Sequence, residues 1–210
     1  MRIRIRLMRG EDVPQIVAIE QSWDYLSKWG EEGYRGVLSQ PRIYACLVAE
    51  DLELDMPNEN PTAGTGGAVP EKGYAEPSAL TTPARRAKRG LIRSQEIVPL
   101  QKSLAPVLGG SIIAGFAILA LLIDHCALCN LVVRPSYLSK KVGYSLLQQC
   151  FEVARQCNIE EVLLEVRQSN HRAIEFYEKN GFRIISLRKN YYRNPPEHAW
   201  IMEKRVDRSS

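Results

Sequence analysis

The sequence predicts a single mixed α/β domain that is interrupted by one long insertion. Segments with the alternating or continuous apolar pattern of strands are interleaved with segments whose apolar residues have helical spacing. The 210 residues are 45% apolar and 25% charged, which is ordinary for a globular protein with a sizeable core. The periodic pattern is lost between residues 51 and 103 and then resumes. A chain of this length suits one domain with an appendage.

The first fifty residues predict a strand, two helices and a second strand. Residues 2–8 alternate charged and apolar residues, which predicts a strand and lacks the apolar stretch of a secretory signal. Residues 11–21 have helical spacing, and residues 31–39 predict a second helix. Residues 43–49 form a short apolar segment that is typical of a buried strand.

Residues 51–103 predict a disordered insertion. This segment is rich in proline and glycine, and its apolar residues show no period, so it cannot bury enough surface to offset the entropy of ordering. The domain would then comprise residues 1–50 and 104–206. The basic run at residues 85–89 is either a solvated charged stretch or an arm that contacts the ribosome or RNA. A net charge of +4 is too small to decide between them.

The second half of the chain continues the mixed pattern. We predict strands at residues 111–121, 126–133, 160–167, 182–188 and 198–205, and helices at residues 139–157 and 170–180. The order of elements is therefore strand, two helices, three strands, helix, strand, helix and two strands.

The apolar segment at residues 104–123 has the length of a membrane-spanning helix. Pro106 and the pair Gly109-Gly110 interrupt its first third, and the remainder is too short to cross a bilayer. We therefore predict buried strands here, because strands covered on both faces have continuous apolar sequences.

The five cysteines predict a reducing compartment, since an odd number at irregular spacing does not form a disulfide framework. We expect a cytoplasmic protein. Cys126 and Cys129 have the spacing of half a zinc site, but residues three apart in a strand face opposite sides and no second pair is present. We therefore predict no metal site.

The stretch "LEVRQSNHRAIEFYEKNGF" at residues 164–182 resembles the GNAT superfamily of N-acetyltransferases, and within it the RimI type, the ribosomal-protein alanine acetyltransferases. The later stretch "NYYRNPPEHAWIM" resembles the tail of the same type. The resemblance covers residues 1–50 and about 111–206. It rests on these residues: Leu164, Glu165, Val166, Arg167, Ser169, Asn170, Ala173, Ile174, Tyr177, Gly181 and Phe182.

The resemblance implies a mixed, twisted sheet that splays open between its fourth and fifth strands, with helices on both faces. Acetyl-CoA would lie in the splay as co-substrate, with its thioester beside residues 128–133. Backbone N–H groups near Leu131, Val132 and Val133 would stabilise the oxyanion. Such fixed donors often make the largest single contribution to catalysis.

The resemblance also implies catalytic roles. Glu165 would act as a general base through water, and such proton transfers contribute roughly 10²–10⁴-fold; the alternative is an exposed edge glutamate paired with Arg167. Tyr177 would act as the acid for the departing thiolate; the alternative is an aromatic core residue. Asn170 would hold acetyl-CoA, cap a helix, or do both.

The turn "SYLSKKVGYSLL" departs from the coenzyme A loop of the family. The family places arginine or glutamine, glycine, and glycine or alanine where this chain has Leu138, Lys141 and Gly143, so only the last is kept. The helix N-terminus would still bind a pyrophosphate, and a positive φ at Lys141 would cost about 1 kcal/mol or more. The implied coenzyme-binding loop consists of Ser139, Lys140, Lys141, Val142, Gly143 and Tyr144.

For the peptide substrate, the resemblance implies contacts from Trp29, Tyr191 and Tyr192, although Trp29 is equally consistent with a core residue. His198 stands where the family usually has aspartate. The implied reaction is acetyl transfer to a protein N-terminal α-amine, of the ribosomal protein S18 alanine type. Two alternatives stay open, namely a small-molecule or lysine acetyltransferase and a non-catalytic module with the same fold.

Overall fold

The computed structural model describes residues 1–24, 26, 28–55 and 111–207. The elements follow the predicted order. The strands are β1 (Ile3–Leu7), β2 (Tyr44–Asp55), β3 (Ser111–Leu121), β4 (Cys126–Val133), β5 (Glu161–Arg167), β6 (Arg183–Arg193) and β7 (Pro196–Arg205). The helices are α1 (Val13–Gln21), α2 (Gly30–Leu38), α3 (Val142–Gln156) and α4 (His171–Lys179). Most of the predicted insertion, including the basic run at residues 85–89, lies outside the described residues.

Several boundaries differ from the prediction for physical reasons. Strand β2 continues to Asp55 because the charged residues that seemed to end it are buried and paired: Glu50 with Arg6, and Asp51 with Tyr137. Helix α3 begins at Val142 rather than at residue 139, because the turn before it has left-handed backbone.

The seven strands form one sheet in the order β1-β2-β3-β4-β5-β7-β6. Strands β4 and β5 are parallel, and their pairing covers only Cys126–Leu128 against Val162–Leu164. The neighbouring strand pairs are antiparallel, and β5 stays paired with β7 along its full length. The predicted splay between the fourth and fifth strands is thus confirmed.

Helices cover both faces of the sheet, as predicted. The α3-side core lies between the sheet and helices α3 and α4, and the α1-side core lies against helices α1 and α2. Each fully buried leucine, isoleucine or phenylalanine contributes about 1.5–3 kcal/mol. The α3-side core includes Leu47, Leu119, Leu128, Leu146, Phe151, Leu164 and Met202. The α1-side core includes Val13, Ile16, Ile19, Tyr34, Phe116, Ile118 and Val132.

The apolar segment that could have been read as a membrane helix contains strand β3, which is buried along most of its length. That alternative is wrong for residues 111–121, and residues 104–110 lie outside the described part of the chain. Nowhere in the described ranges is there a helix long and apolar enough to span a bilayer.

Gly115 allows strands β3 and β4 to approach closely. A Cβ atom at this position would lie 2.7 Å from the carbonyl oxygen of Val132 and 3.2 Å from the Cα of Val133. Both contacts are with backbone, which has little freedom to move aside. Glycine at this position therefore keeps the second half of β4 against β3, on the side away from β5.

A buried ion cluster joins the first strand to the start of α1. The Arg6 guanidinium donates to both carboxylate oxygens of Asp12 at 2.7 and 2.8 Å, and to Glu50 at 2.7 Å. Burial opposes the charge on Arg6, but the hydrogen bonds to the two carboxylates outweigh it and raise the pKa of Arg6. Removal of one partner from such a cluster leaves a buried charge without compensation.

Two carboxyl groups share a proton where β5 and β7 pair. A hydrogen bond that Glu161 donates to Glu203, with burial and the nearby negative charge, raises the pKa of Glu161 to about 7. The pKa of Glu203 is lowered by the same hydrogen bond and by Arg183, whose guanidinium donates to it at 2.9 Å. Glu161 is therefore the member of the pair that carries the proton.

This pair makes stability depend on pH. An unfolded glutamate has a pKa near ~4.3, so the folded protein binds the extra proton between that value and about 7. The stability that this extra proton gives to the folded protein is fully present at pH 4 and is lost as the pH rises through 7. Glu161→Gln keeps a donor toward Glu203 and does not titrate, so we expect its melting temperature relative to the native protein to rise between pH 5.5 and pH 8.

Glu32→Gln, an exposed substitution on α2, is the matched control. Its melting temperature should differ from that of the native protein by the same amount at pH 5.5 and at pH 8. Thermal melts followed by circular dichroism measure both variants. A Glu161→Gln difference that does not change with pH would contradict the shared proton.

Candidate active site

The open part of the sheet lies beyond Leu128 and Leu164, the last residue pair of β4 and β5. The N–H of Arg134 donates to the C=O of Ala114 at 2.8 Å. Because antiparallel hydrogen bonds alternate along a strand, the N–H of Val132 points to β3. The N–H groups of Leu131 and Val133 then point away from β3 and into the gap. Two of the three predicted backbone donors therefore face it.

A β-bulge lies where β4 leaves β5. Ile118 pairs with Asn130 and Leu119 pairs with Leu128, so Cys129 is the extra residue in β4. The bulge reverses the alternation of side chains, and Leu131 therefore joins Leu128 on the side of the α3-side core. The buried Nδ2 of Asn130 has no hydrogen-bond acceptor within the described ranges.

The cysteines that raised the possibility of a metal are separated by this bulge. Cys126 is fully buried in the α3-side core, whereas Cys129 is exposed and its thiol lies 3.5 Å from the carbonyl of Ala127. The described part of the chain contains no group of three or more histidine, cysteine or acidic side chains that could hold a metal ion.

The predicted coenzyme loop leads into α3. Ser139 and Lys141 have φ values of 63° and 61°, and Lys141 is the N-cap of α3 without a side-chain capping bond. The first helical hydrogen bond runs from Ser145 N–H to Lys141 C=O at 2.9 Å. The N–H groups of the first turn are therefore directed out of the helix end, which also carries the positive end of the helix dipole.

Gly143 brings this loop against the gap. A Cβ at Gly143 would lie 3.4 Å from Val133, 3.6 Å from Leu131 and 3.7 Å from Phe176. The start of α3, the free side of β4 and helix α4 therefore converge at one point. Lys140 is close by, with its Nζ 4.9 Å from the centre of the Tyr137 ring.

Glu165 lies on β5 and faces the α1 side of the sheet, opposite to Leu164 and Val166. Its side chain is 15% exposed, and Arg188 Nη1 lies 2.5 Å from its Oε1. Glu165 is the first residue of β5 beyond its pairing with β4, and the alternative of an exposed glutamate is wrong because its side chain is largely covered. Arg167, the expected partner, forms its ion pair with Glu197 instead.

The tyrosines Tyr191 and Tyr192 lie beside Glu165. Their rings are 4.9 Å apart at 75°, and the Tyr192 hydroxyl donates to the Glu165 carbonyl at 3.4 Å. Burial, a hydrogen bond to Glu165 and its negative charge raise the pKa of Tyr191. Burial and the charge of Glu165 raise the pKa of Tyr192 to about 12. Both phenols are therefore neutral hydrogen-bond donors at neutral pH.

Tyr177 lies on α4 within the α3-side core, on the opposite face of the sheet from Glu165. Its ring packs edge-on against Phe176 at 5.3 Å and Phe182 at 5.4 Å. Burial is the main cause that raises its pKa, and smaller electrostatic effects of Cys150 and Tyr192 add to it. The phenol is therefore protonated at neutral pH.

Asn170 is the N-cap of α4. Its side-chain oxygen accepts a hydrogen bond from the N–H of Ala173 at 3.2 Å. The prediction that Asn170 caps a helix is confirmed. Its role in holding acetyl-CoA stays a prediction.

Two tryptophans of the α1–α2 connection have different positions. Trp29 stacks on Tyr34 at 5.8 Å, packs against the α1-side core, and donates its backbone N–H to buried Glu20 at 2.6 Å. Trp23, which was not predicted, donates its indole Nε1 to the Val133 carbonyl at 3.1 Å. Trp23 is therefore the residue of this pair that reaches the splayed edge. The sequence offered Trp23 as a second candidate, because the stretch "SWDYLSKW" between the two predicted helices contains both tryptophans.

Residues 82–182 match the model of the GNAT acetyltransferase family, and the match begins inside the segment predicted to be an insertion. The chain is 37% identical over 79 residues to the ribosomal protein bS18-alanine N-acetyltransferase of Escherichia coli K12, covering 38% of this chain and 53% of that protein. The homologous enzyme of Haemophilus ducreyi is 39% identical over 93 residues, covering 43% and 64%. The chain thus spans between half and two thirds of these relatives.

Solved structures share the fold over the whole domain. The S18-alanine N-acetyltransferase of Escherichia coli superposes with a TM-score of 0.61 at 20% identity, covering 100% of this chain and 97% of that one. The Thermoplasma acidophilum PaiA acetyltransferase in complex with coenzyme A gives 0.57 at 20% identity, covering 98% and 99%. The predicted GNAT fold and the resemblance to the RimI type are confirmed.

The left-handed backbone at Lys141 predicts a stabilising substitution. A non-glycine residue in this conformation stores about 1–3 kcal/mol of strain, which glycine would relieve. Glycine also raises the conformational entropy of the unfolded chain, and this offsets part of the relief. We expect Lys141→Gly to raise the free energy of unfolding by about 1 kcal/mol, measured by urea denaturation.

Lys140→Gly is the matched control, because Lys140 is not among the residues with positive φ. It should lower the free energy of unfolding by a few tenths to about 1 kcal/mol. Equal effects of the two glycines would show that no strain is stored at Lys141.

Proposed function

From the GNAT fold and the family match of this chain, we propose that it is an N-acetyltransferase that moves the acetyl group of acetyl-CoA to the N-terminal α-amine of a protein. The alanine of ribosomal protein S18 is the proposed target, which places the enzyme in the cytoplasm. One observation carries the proposal: a helix N-terminus, an unpaired strand edge and a carboxylate meet at the gap between β4 and β5.

The residues at the gap fit acetyl-CoA as a substrate. The N-terminus of α3 offers backbone N–H groups to a pyrophosphate, and Lys140 and Lys141 add positive charge. The pantetheine arm would extend along β4 and pair with the backbone of Leu131 as an added strand does. The carbonyl of Val133 already accepts a hydrogen bond from Trp23, so Val133 would offer only its N–H group to acetyl-CoA.

In the reaction, the nitrogen of the neutral amine attacks the thioester carbonyl. The new C–N bond forms, the C–S bond breaks, and between these events the oxyanion accepts a hydrogen bond from the edge of β4, from the N–H of Leu131 or of Val133. A water molecule relays the amine proton to Glu165. An α-amine has a pKa near ~8, so a modest base suffices. The leaving thiolate takes its proton at Tyr177.

Burial suits Tyr177 to the role of a donor rather than of a strong acid. Its raised pKa keeps the proton on the phenol until negative charge develops on the sulfur. Since a free thiol has a pKa near ~8.5, complete transfer from this phenol is unfavourable at first. Tyr177 therefore first stabilises the departing sulfur by a hydrogen bond. It then gives its proton to the thiolate as the product leaves, and exchange with solvent restores the phenol.

The peptide would enter from the α1 side of the sheet, where Glu165 lies. Tyr191 and Tyr192 border the carboxylate on one side. The α1–α2 connection, with Trp23 at the gap, borders the other side. Trp29 acts there through the packing of the connection. An N-terminus, which is narrow and ends in one amine, suits a cleft bounded by aromatic rings.

The first test is acetylation of a peptide that begins with alanine, followed by mass spectrometry. An N-terminally blocked peptide with one internal lysine is the substrate control. We expect acetylation of the free α-amine and little of the lysine. Glu165→Gln should lower kcat/KM by about 10²-fold and leave the dissociation constant for acetyl-CoA unchanged in calorimetric titration.

Glu175→Gln, an exposed substitution on α4, should behave as the native protein does. A native protein that does not bind millimolar acetyl-CoA would overturn the enzymatic proposal as a whole. Preferential acetylation of the lysine would move the substrate to a different class, and undiminished turnover in Glu165→Gln would remove this residue from the mechanism.

A further inference from the structure

We propose that Arg188 is a positioning residue that orients the carboxylate of Glu165 for proton abstraction. The inference rests on the proposed function, because it assigns a partner to the proposed base. The two residues are 23 positions apart in sequence and lie on different strands, β5 and β6. Their contact is charged, short and shielded, with side-chain exposures of 15% for Glu165 and 28% for Arg188.

The geometry requires Arg188 to reach across β7, which lies between the two strands. The residue of β7 that pairs with Arg188 is Ala199, and Ala199 also pairs with Arg167 on β5. Because paired residues share a face of the sheet, the small side chain of Ala199 leaves room for the guanidinium to pass over the strand. A larger residue at this position would lie between Arg188 and the carboxylate.

A bulge in β6 directs Tyr191 to the same carboxylate. Arg188 pairs with Ala199 and Tyr192 pairs with Glu197, so three residues of β6 face the single residue His198 on β7. The middle residue, Asn190, has a φ of 54°, and its N–H donates to His198 Nδ1 at 3.1 Å. The imidazole thus holds the bulge in place.

The Arg188 guanidinium lies 4.5 Å from the centre of the Tyr191 ring. Tyr191 in turn hydrogen-bonds Glu165, which contributes to its raised pKa. The carboxylate therefore has its ion pair with Arg188 and the phenol of Tyr191 beside it, both from one segment of β6. Arginine and an aromatic ring in this arrangement also stabilise each other.

The chemistry of arginine suits positioning. A guanidinium does not lose its proton in proteins, so Arg188 cannot act as the base itself. Its charge-assisted hydrogen bond fixes the orientation of the carboxylate. Since Oε1 is occupied by Arg188, proton acceptance falls to the remaining lone pairs of the carboxylate. A base that is held in one orientation does not have to be ordered at each turnover.

The experiment compares Arg188→Ala and Arg188→Lys with Arg183→Ala. Arg183 is the matched control, because it also lies on β6 and pairs with a glutamate, Glu203, but away from Glu165. For Arg188→Ala we expect kcat to fall by about 10- to 100-fold, while peptide KM and acetyl-CoA affinity stay within about threefold.

Arg188→Lys should recover much of the lost kcat, since it keeps the charge and one donor. In a Glu165→Gln background the Arg188→Ala loss should largely disappear, because both changes remove the same interaction. Circular dichroism of each variant checks the fold. If Arg188→Ala is unfolded, the kcat of Arg188→Lys is compared with that of the native protein instead.

Three outcomes overturn the inference. If Arg188→Ala matches Arg183→Ala in kcat and in peptide KM, Arg188 does not position the base. If the whole loss is in peptide KM, Arg188 binds the peptide directly. If the loss is undiminished in the Glu165→Gln background, Arg188 does not act through Glu165. These outcomes leave the proposed function intact, whereas a native protein that binds acetyl-CoA and acetylates no peptide overturns both.

Discussion

The architecture of the site depends on the short parallel register between β4 and β5. Their pairing stops after Leu128 and Leu164, and the two strands then follow different neighbours. Gly115 and the bulge at Cys129 keep β4 on β3, while β5 continues beside β7 to its end. A strand that is fully hydrogen-bonded on one side and free on the other exposes a row of donors and acceptors, and such an edge accepts an extended ligand as it would accept another strand.

The gap also connects the two faces of the sheet, and the proposed acid and base lie on opposite faces. Glu165 faces the α1 side, and Tyr177 lies in the α3-side core. An amine that arrives on one face and a thiolate that departs on the other need not compete for the same space. The separation also keeps a charged carboxylate out of the apolar surroundings of the phenol, where an unpaired charge would be costly.

The sequence was informative wherever a local pattern determines the structure. The bounds of β3 and β4 follow directly from apolar runs, and the positive φ at Lys141 matches the position where the family has glycine. The partner of Glu165 could not be read in this way. Its ion pair with Arg188 depends on how β6 pairs with β7 and on the small Ala199 between the strands, and no periodicity encodes these. The role of Trp23 was not predicted for a similar reason, because its hydrogen bond joins positions 110 residues apart in the sequence.

The hydrogen bond from Trp23 to Val133 joins the connection proposed to contact the peptide to the strand proposed to contact acetyl-CoA. Any ligand that moves the indole alters the polarity of that strand edge, and a ligand on the edge acts on the indole in return. By thermodynamic linkage, each substrate would then change the affinity for the other by the same factor. The cooperativity between the two substrates can thus depend on one indole N–H.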